Sequence, residues 1–534
     1  MDVLAGINLR STPQTNRADA RQVANNAGGF TFEVTPEVRL RRFLTLGSEG
    51  GTYYVGAKDL TEDNATAVLD FARNRTADLV AEIVTISTAG RAPKPNPALF
   101  ALAAAASLGD VDGRRAALDA LPLVARTGTH LFLFARYVEQ FRGWGRGLRR
   151  AVGQWYTSAT VEHVAHQAVK YRQREGWSHR DLLRLAHPQT AEDDRKRLFD
   201  WICGRETSLD GLRLVEGFQL AQAAQPKDVA GLVTEYGLSW EMLPDAALDL
   251  PGTWEALLDK GMPQTALIRQ LPRLTRLGLL APLGKRTSLA AAQLADRERL
   301  RKGRVHPVNV LVALRTYASG QSARGDSTWT PSRPIVDALD AAFYAAFEAV
   351  EPTGKRHLLA LDVSGSMTAA ISNMPISARE ASAALALVTA SIESAYDIVG
   401  FTSSGGGYGW SREAALTPLA ISPRQRLDDA IRAVSNLPFG GTDCSLPMLY
   451  ALENQLEVDV FTVYTDNETY AGRQHPHQAL QQYRREINPN AKLVVCGMTS
   501  TNFTIADPSD AGMLDVAGFD SAVPSLLADF ARGV

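Results

Sequence analysis

The sequence predicts a multidomain chain in two parts: an all-α helical array over residues 1–353, then an α/β doubly wound unit over residues 354–534. Three observations carry this. From about Asp59 to Ala349, apolar runs recur at helical spacing, such as "ALFALAAAASLGD" and "GTHLFLFARYVEQFRG", with glycine stops. After Pro352-Thr353-Gly354 the rhythm changes to short β-rich runs: "HLLALDVS", "YDIVGFTS", "VDVFTVYTDN" and "AKLVVCGMTS". Helical runs such as "REASAALALVTASIESA" separate them, the alternation of a parallel sheet covered on both faces. The helical part has no clean sequence period, so any repeats in it are degenerate.

Composition narrows the class. The 534 residues are 45% hydrophobic and 21% charged, as in soluble multidomain proteins. A formal net charge of -2 rules out a global field for a polyanion. The three cysteines, Cys203, Cys444 and Cys496, are too far apart for a zinc spacing or a disulfide framework. Together with the lack of a secretory leader or a membrane-length apolar run, this predicts a cytoplasmic protein with no membrane partner.

The first β-rich run of the second part ends at Asp362, with Ser364 and Ser366 in the loop that follows. The third ends at Asp466, and the glycine-rich "FGGTDCS" between them carries Thr442. Ligands of open α/β sheets bind at the carboxyl ends of strands, so these five side chains are predicted to converge at one edge. Two carboxylates and three hydroxyls, without histidine or thiol, suit a hard divalent cation: Mg²⁺ first, with Mn²⁺ or Ca²⁺ as alternatives. Ser364 in "DVSGS" does not match a nucleophile elbow, and no histidine is placed to activate it.

Charge is concentrated in the first part. Between Arg126 and His187 there are eleven basic residues against four acidic ones, a net +7 that leaves −9 for the rest of the chain. Arg136, Arg142, Arg146, Lys170, Arg172, Arg174, Arg180 and Arg184 belong to this stretch, interleaved with aromatics including Phe134, Trp144, Trp155, Tyr156 and Trp177. Arginine with aromatics equips a surface for phosphate contact and base stacking; the alternative is a solvated face whose aromatics are core. A second cluster, "DRERLRKGRVHP", holds Arg297, Arg299, Arg301, Lys302 and Arg304.

The segments "RRFLTLGSEGGTYY", "KYRQREGWSHRDLLRLAHP", "MPQTALIRQLPRLTRLGLL" and "RVHPVNVLVALRTYASGQSARG" resemble the TROVE module in wording and order. Asp362-x-Ser364-x-Ser366, Thr442 and Asp466 resemble the metal-ion-dependent adhesion site (MIDAS) of von Willebrand factor A domains. The combination is similar to the Ro ribonucleoprotein autoantigen family, and most similar to its bacterial members. The resemblance implies a HEAT-like helical-repeat ring followed by a von Willebrand factor A domain, in a noncatalytic, monomeric RNA-binding protein. It implies that Y RNA binds a basic outer surface, with Lys170, Arg174 and His187 in contact. It also implies that single-stranded 3′ ends of misfolded or structured RNAs enter a central hole. Exoribonuclease partners, RNA quality control and a stress response belong to the same expectation. Charge and helical spacing add Arg172, Arg180 and Arg184; Arg136, Arg142 and Arg146 face either the hole or the outer surface. Two further readings stay open: a scaffold that docks an acidic protein ligand on the metal, and a metal-dependent nuclease.

Overall fold

The computed structural model describes residues 11–47, 52, 54–55, 57–205, 207–322, 325–347, 350–371, 374–403, 415–423, 425–435, 437, 440–518 and 520–533. Most of residues 48–56, part of the first family-like segment, and Arg324 in the last one lie outside the described residues.

Helices dominate up to residue 345, and their ends follow local chemistry. Thr127 caps Gly128–Phe141 through the backbone N–H of His130. Ser178 and Asp181 form a reciprocal capping box at the start of His179–Ala186. Each helix packs mainly on near neighbours in sequence: Asn96–Leu108 on Gly128–Phe141, Arg146–Ser158 on His179–Ala186, Val229–Tyr236 on Pro251–Lys260, and Pro307–Ala318 on Arg333–Ala345. That is the packing of a helical-repeat array. Its two ends then meet. The Arg304 side chain donates to the Thr88 carbonyl (3.0 Å) and Asn309 to the Pro93 carbonyl (3.2 Å). His306 accepts the Val308 N–H at Nδ1, so its Nε2–H donates to the Arg91 carbonyl (3.0 Å). The array therefore closes on itself as a ring. The second part joins the same seam, because Arg91 is ion-paired with Asp520.

The strands are β1 (Gln22–Ala24), β2 (Phe30–Glu33), β3 (Gln173–Arg174), β4 (Trp177–Ser178), β5 (Arg356–Asp362), β6 (Ala395–Phe401), β7 (Leu416–Pro418), β8 (Val460–Thr465), β9 (Lys492–Gly497), β10 (Phe503–Thr504) and β11 (Met513–Ala517). Six form the main sheet in the order β11-β9-β8-β5-β6-β7, parallel except for the β7 edge. Alternate residues of β5 enter different cores. Leu359 and Leu361 join the core that contains helix Ala378–Ile392 and continues through the helical array. Leu358 and Ala360 join a second core with helices Leu446–Glu453 and Pro476–Glu486. Both faces are covered, which is why the strands read as continuous apolar runs.

The first described residues do not join the helical array. β1 and β2 pair with each other, and β2 pairs with β10 from the second part. The Gln14 side chain donates to Asp443 (2.8 Å) and accepts from Thr469 (2.6 Å) and Gly472 (3.1 Å). Residues 11–34 thus pack as a wall against the second part. Arg42 extends this interlock. It is fully buried, donates to the carbonyls of Thr501 (2.9 Å) and Phe503 (2.8 Å), and pairs with Asp515.

Burial also fixes a pH response. His477 lies edge-on to Phe32, and burial, helped by the charge of His475, lowers its pKa to about 4. The folded chain holds it neutral. Above about pH 6.5 both states are neutral and it contributes nothing; as pH falls from there toward 4 the unfolded chain gains a proton and stability is lost. Between pH 7 and 5, the loss of unfolding free energy in His477→Gln should be smaller than in wild type by roughly 1–2 kcal/mol in denaturant titrations. Equal losses would show that His477 is not held neutral.

No helix among the described residues is long and apolar enough to cross a membrane.

Candidate functional site

Two constellations stand out, one on each part. The first lies at the carboxyl edge of the main sheet. β5 is flanked by β6 on one side and β8 on the other, so successive connections leave in opposite directions and open a crevice there. Asp362 ends β5, and Asp466 directly follows the neighbouring β8. Thr465 donates to Asp362 (2.7 Å), and the Ser364 N–H bonds the same carboxylate (2.9 Å). Ser364 and Ser366 hydroxyls are 3.1 Å apart. The Thr442 loop is drawn in by its carbonyl, which accepts the N–H groups of Tyr470 (3.1 Å) and Ala471 (3.0 Å). Gly441 lets this approach be close: a Cβ there would meet the Tyr470 hydroxyl at 2.7 Å, so a larger residue would push that side chain aside. All five predicted ligands are buried.

The electrostatics of this edge are strained. Burial and the nearby Asp362 charge push the Asp466 carboxyl up to about 8, and burial also raises Asp362. The Oδ2 atom of Asp466 is buried without a hydrogen-bond partner among the described residues. Glu468, pushed up to about 7 by burial, is held by Asn26 (2.7 Å) and the Ala27 N–H (3.0 Å) of the N-terminal wall. The pair of buried carboxylates, the orphaned oxygen and the hydroxyls fit a hard cation. Among the described residues no cluster of three or more His, Cys, Asp or Glu side chains is placed to hold a metal, so any ion here relies on hydroxyls. His475 is engaged elsewhere, bonding Gln22 (3.1 Å) and the Asn16 carbonyl (2.8 Å), so it does not activate Ser364.

The second constellation is the basic stretch. Helix Gly128–Phe141 packs on the β3–β4 hairpin, whose turn residues Glu175 and Gly176 both have positive φ. Arg136 is ion-paired with Glu175 at that turn. Trp144 meets Trp177 of β4 at 5.2 Å, which brings the loop holding Arg142 beside the hairpin that carries Arg174 on its other strand. Arg172 lies over the Phe218 ring. Arg180 and Arg184 share one exposed face of His179–Ala186, and His187 caps that helix in the left-handed conformation (φ 45°), also exposed. Arg146, Arg180 and Arg184 are exposed and have no acidic partner among the described residues.

Lys170 differs from the others. Its side chain is only 15% exposed and is ion-paired with Glu241 at 3.0 Å. Glu241 is 71 positions away, so nothing local in the sequence points to it. Phe134 and Tyr156 are fully buried and Trp155 nearly so: these aromatics are core rather than stacking platforms. Trp144, Tyr171 and Trp177 are half-buried at the edge of the basic face.

Fold and sites together define a closed helical array joined to an A-type domain with an oxygen-lined strand edge. The TROVE domain family matches residues 23–208 and 234–316, and the Ro60 vWA domain family matches residues 356–531. The chain is 41% identical to the Deinococcus radiodurans protein named RNA-binding protein RO60, over all of this chain and 99% of that one. It is 37% identical to the Caenorhabditis elegans protein of the same name, over 98% of this chain and 92% of that one. The crystal structure of the Deinococcus radiodurans RO (RSR) protein superposes with a TM-score of 0.69 at 39% identity, covering 93% of this chain and all of that chain. The chain belongs to the Ro60 family.

Proposed function

We propose that this chain is a noncatalytic RNA-binding protein. It holds a small Y-like RNA on the basic face and takes single-stranded 3′ ends of misfolded or structured RNAs into the closed helical array. It then acts in cytoplasmic RNA quality control and stress responses with an exoribonuclease partner. The observation that carries this reading is the exposed set Arg180, Arg184 and His187 beside the Arg174 hairpin, none of them ion-paired among the described residues. Guanidiniums spaced along a surface neutralise successive phosphates without reading sequence. The two full-length relatives, both named RNA-binding protein RO60, support the RNA class. The test is binding of a labelled stem-loop RNA to wild type, to Arg174→Ala/Arg184→Ala/His187→Ala and to Asp362→Ala. Binding lost in the first variant and kept in the second supports the proposal; the reverse pattern contradicts it. Mg²⁺-dependent RNA cleavage removed by Asp362→Ala would replace it with a nuclease.

The strand edge supports a second role, docking. Asp362, Ser364, Ser366, Thr442 and Asp466 would hold a divalent cation such as Mg²⁺, which supplies an open position for a partner's carboxylate. The orphaned Asp466 oxygen favours this. In the metal-free chain burial, and then the Asp362 charge, disfavour the ionised Asp466, so stability falls as pH rises from about 4 to 8 while Asp466 ionises. Mg²⁺ well above its Kd should therefore raise Tm by several degrees. Asp466→Asn should raise the metal-free Tm and erase the Mg²⁺ response. An unchanged Mg²⁺ response in Asp466→Asn would remove this residue from the site.

A further inference from the structure

The second arginine cluster is separate in sequence from the basic stretch of residues 126–187. It lies at the seam where the helical array closes. A cavity of about 240 Å³ there is lined by Arg297, Arg301 and Arg304, with an apolar floor that includes Leu300 and Phe347. Its walls come from four places: the end of helix Thr76–Ala89, the segment 297–307, the segment 345–347 and Ser521 of the A domain.

The positive charge at this seam is only partly compensated, by Glu298 and by the Asp520 that pairs with Arg91. Arg301 is paired with Glu298 (2.8 Å), but Arg297 and Arg304 have no acidic partner among the described residues. Arg126 lies near Arg304 and likewise lacks an acid; its guanidinium donates to the Ser87 hydroxyl and the Leu123 carbonyl (both 2.9 Å). Burial, with the like charge of Arg304, lowers the Arg126 pKa to about 10. Arg304 also sits in the left-handed region (φ 45°), where a non-glycine residue stores local strain. Gathered like charges and a strained arginine around a cavity are features of an anion site rather than of a packed seam.

We propose that this seam binds a phosphate group carrying one compact ring, from a free mononucleotide or from a phosphorylated RNA end. Guanidiniums of Arg297 and Arg304 hold the phosphate oxygens, for which the planar fork is suited. The ring lies against the Leu300 and Phe347 side. The cavity, about 240 Å³, is smaller than the ~300–1,000 Å³ of sites for drug-sized ligands, so it holds one phosphate and one ring, and any further nucleotides of an RNA end would extend out of it. A ligand here touches both ends of the array and the A domain, so it stabilises ring closure.

The test uses the full chain and UMP, uridine, a 5′-phosphorylated trinucleotide and its 5′-hydroxyl counterpart, with binding read by calorimetry. Arg304 supports the seam itself, so the informative variant is Arg297→Ala, an exposed residue without a partner. A phosphorylated probe should bind wild type and raise its Tm, and Arg297→Ala should weaken it by about tenfold or more. UMP binding assigns the site to free nucleotides; binding of the phosphorylated trinucleotide alone assigns it to RNA ends. Uridine binding as tightly as UMP, equal binding by the variant, or no binding of either phosphorylated probe overturns the proposal. The stem-loop RNA should bind Arg297→Ala as tightly as wild type. Loss of stem-loop binding would place Arg297 on the RNA face and also overturn the seam site, whatever the outcome for the basic face.

Discussion

Arg42→Ala is expected to destabilise the chain by about 3–5 kcal/mol, the usual cost of leaving one partner of a buried ion pair alone. The guanidinium is completely buried between helix Pro36–Leu46 and the A domain, where it also satisfies two carbonyls of the β9–β10 connection and β10 itself. Its removal strands the Asp515 carboxylate, whose pKa burial already raises. Thermal unfolding should show a large fall in Tm. Arg42→Met/Asp515→Leu should recover a good part of the loss, because an apolar pair carries no stranded charge, although the two carbonyls stay without their donor. If Arg42→Ala unfolds like wild type, the interlock between the two parts does not depend on this residue.

The second large effect concerns RNA affinity, and the structure ranks the basic residues. Arg174→Ala/Arg184→Ala/His187→Ala should weaken stem-loop binding by roughly 10–1,000-fold at moderate salt, since each phosphate contact is worth on the order of 1 kcal/mol or more. Lys170→Ala alone should cost less, because Glu241 already neutralises that ammonium. Glu241→Gln should then tighten binding a few-fold by releasing Lys170. Anisotropy titrations check all three. If Lys170→Ala proves the most damaging single change and Glu241→Gln has no effect, the ion pair opens freely and the ranking is wrong.

Much of this was legible in the sequence, for identifiable reasons. Asp362 and Asp466 end parallel neighbours, and strand ends with following oxygen-bearing loops are visible as local patterns. The arginines of His179–Ala186 sit at helical spacing beside a capping box, so their shared exposed face is also a local property. The aromatics misdirect because composition does not say which helix face they occupy. Phe134 lies on the same helix face as Leu131 and Val138, three and four positions away, and all three are buried. What stayed hidden depends on distant pairs. Gln14 with Asp443, Arg42 with Asp515 and Lys170 with Glu241 each join segments without a common local signal. The placement of residues 11–34 against the A domain follows from such pairs, so no composition boundary marks it. The β3–β4 hairpin is two residues per strand, too short for a period-two pattern to register.

We propose that the basic face binds structured RNA while the closed array selects RNAs with a free single-stranded end. The most direct measurement is a salt-titrated gel shift with three RNAs: a Y-like stem-loop, a duplex with a single-stranded 3′ tail and the same duplex with blunt ends. The stem-loop and the tailed duplex should bind with a steep dependence on salt. The blunt duplex does not bind, and Arg174→Ala/Arg184→Ala/His187→Ala loses the stem-loop. Equal, weak binding of all three RNAs, vanishing together as salt rises, would contradict it and leave the basic stretch as a charged surface only.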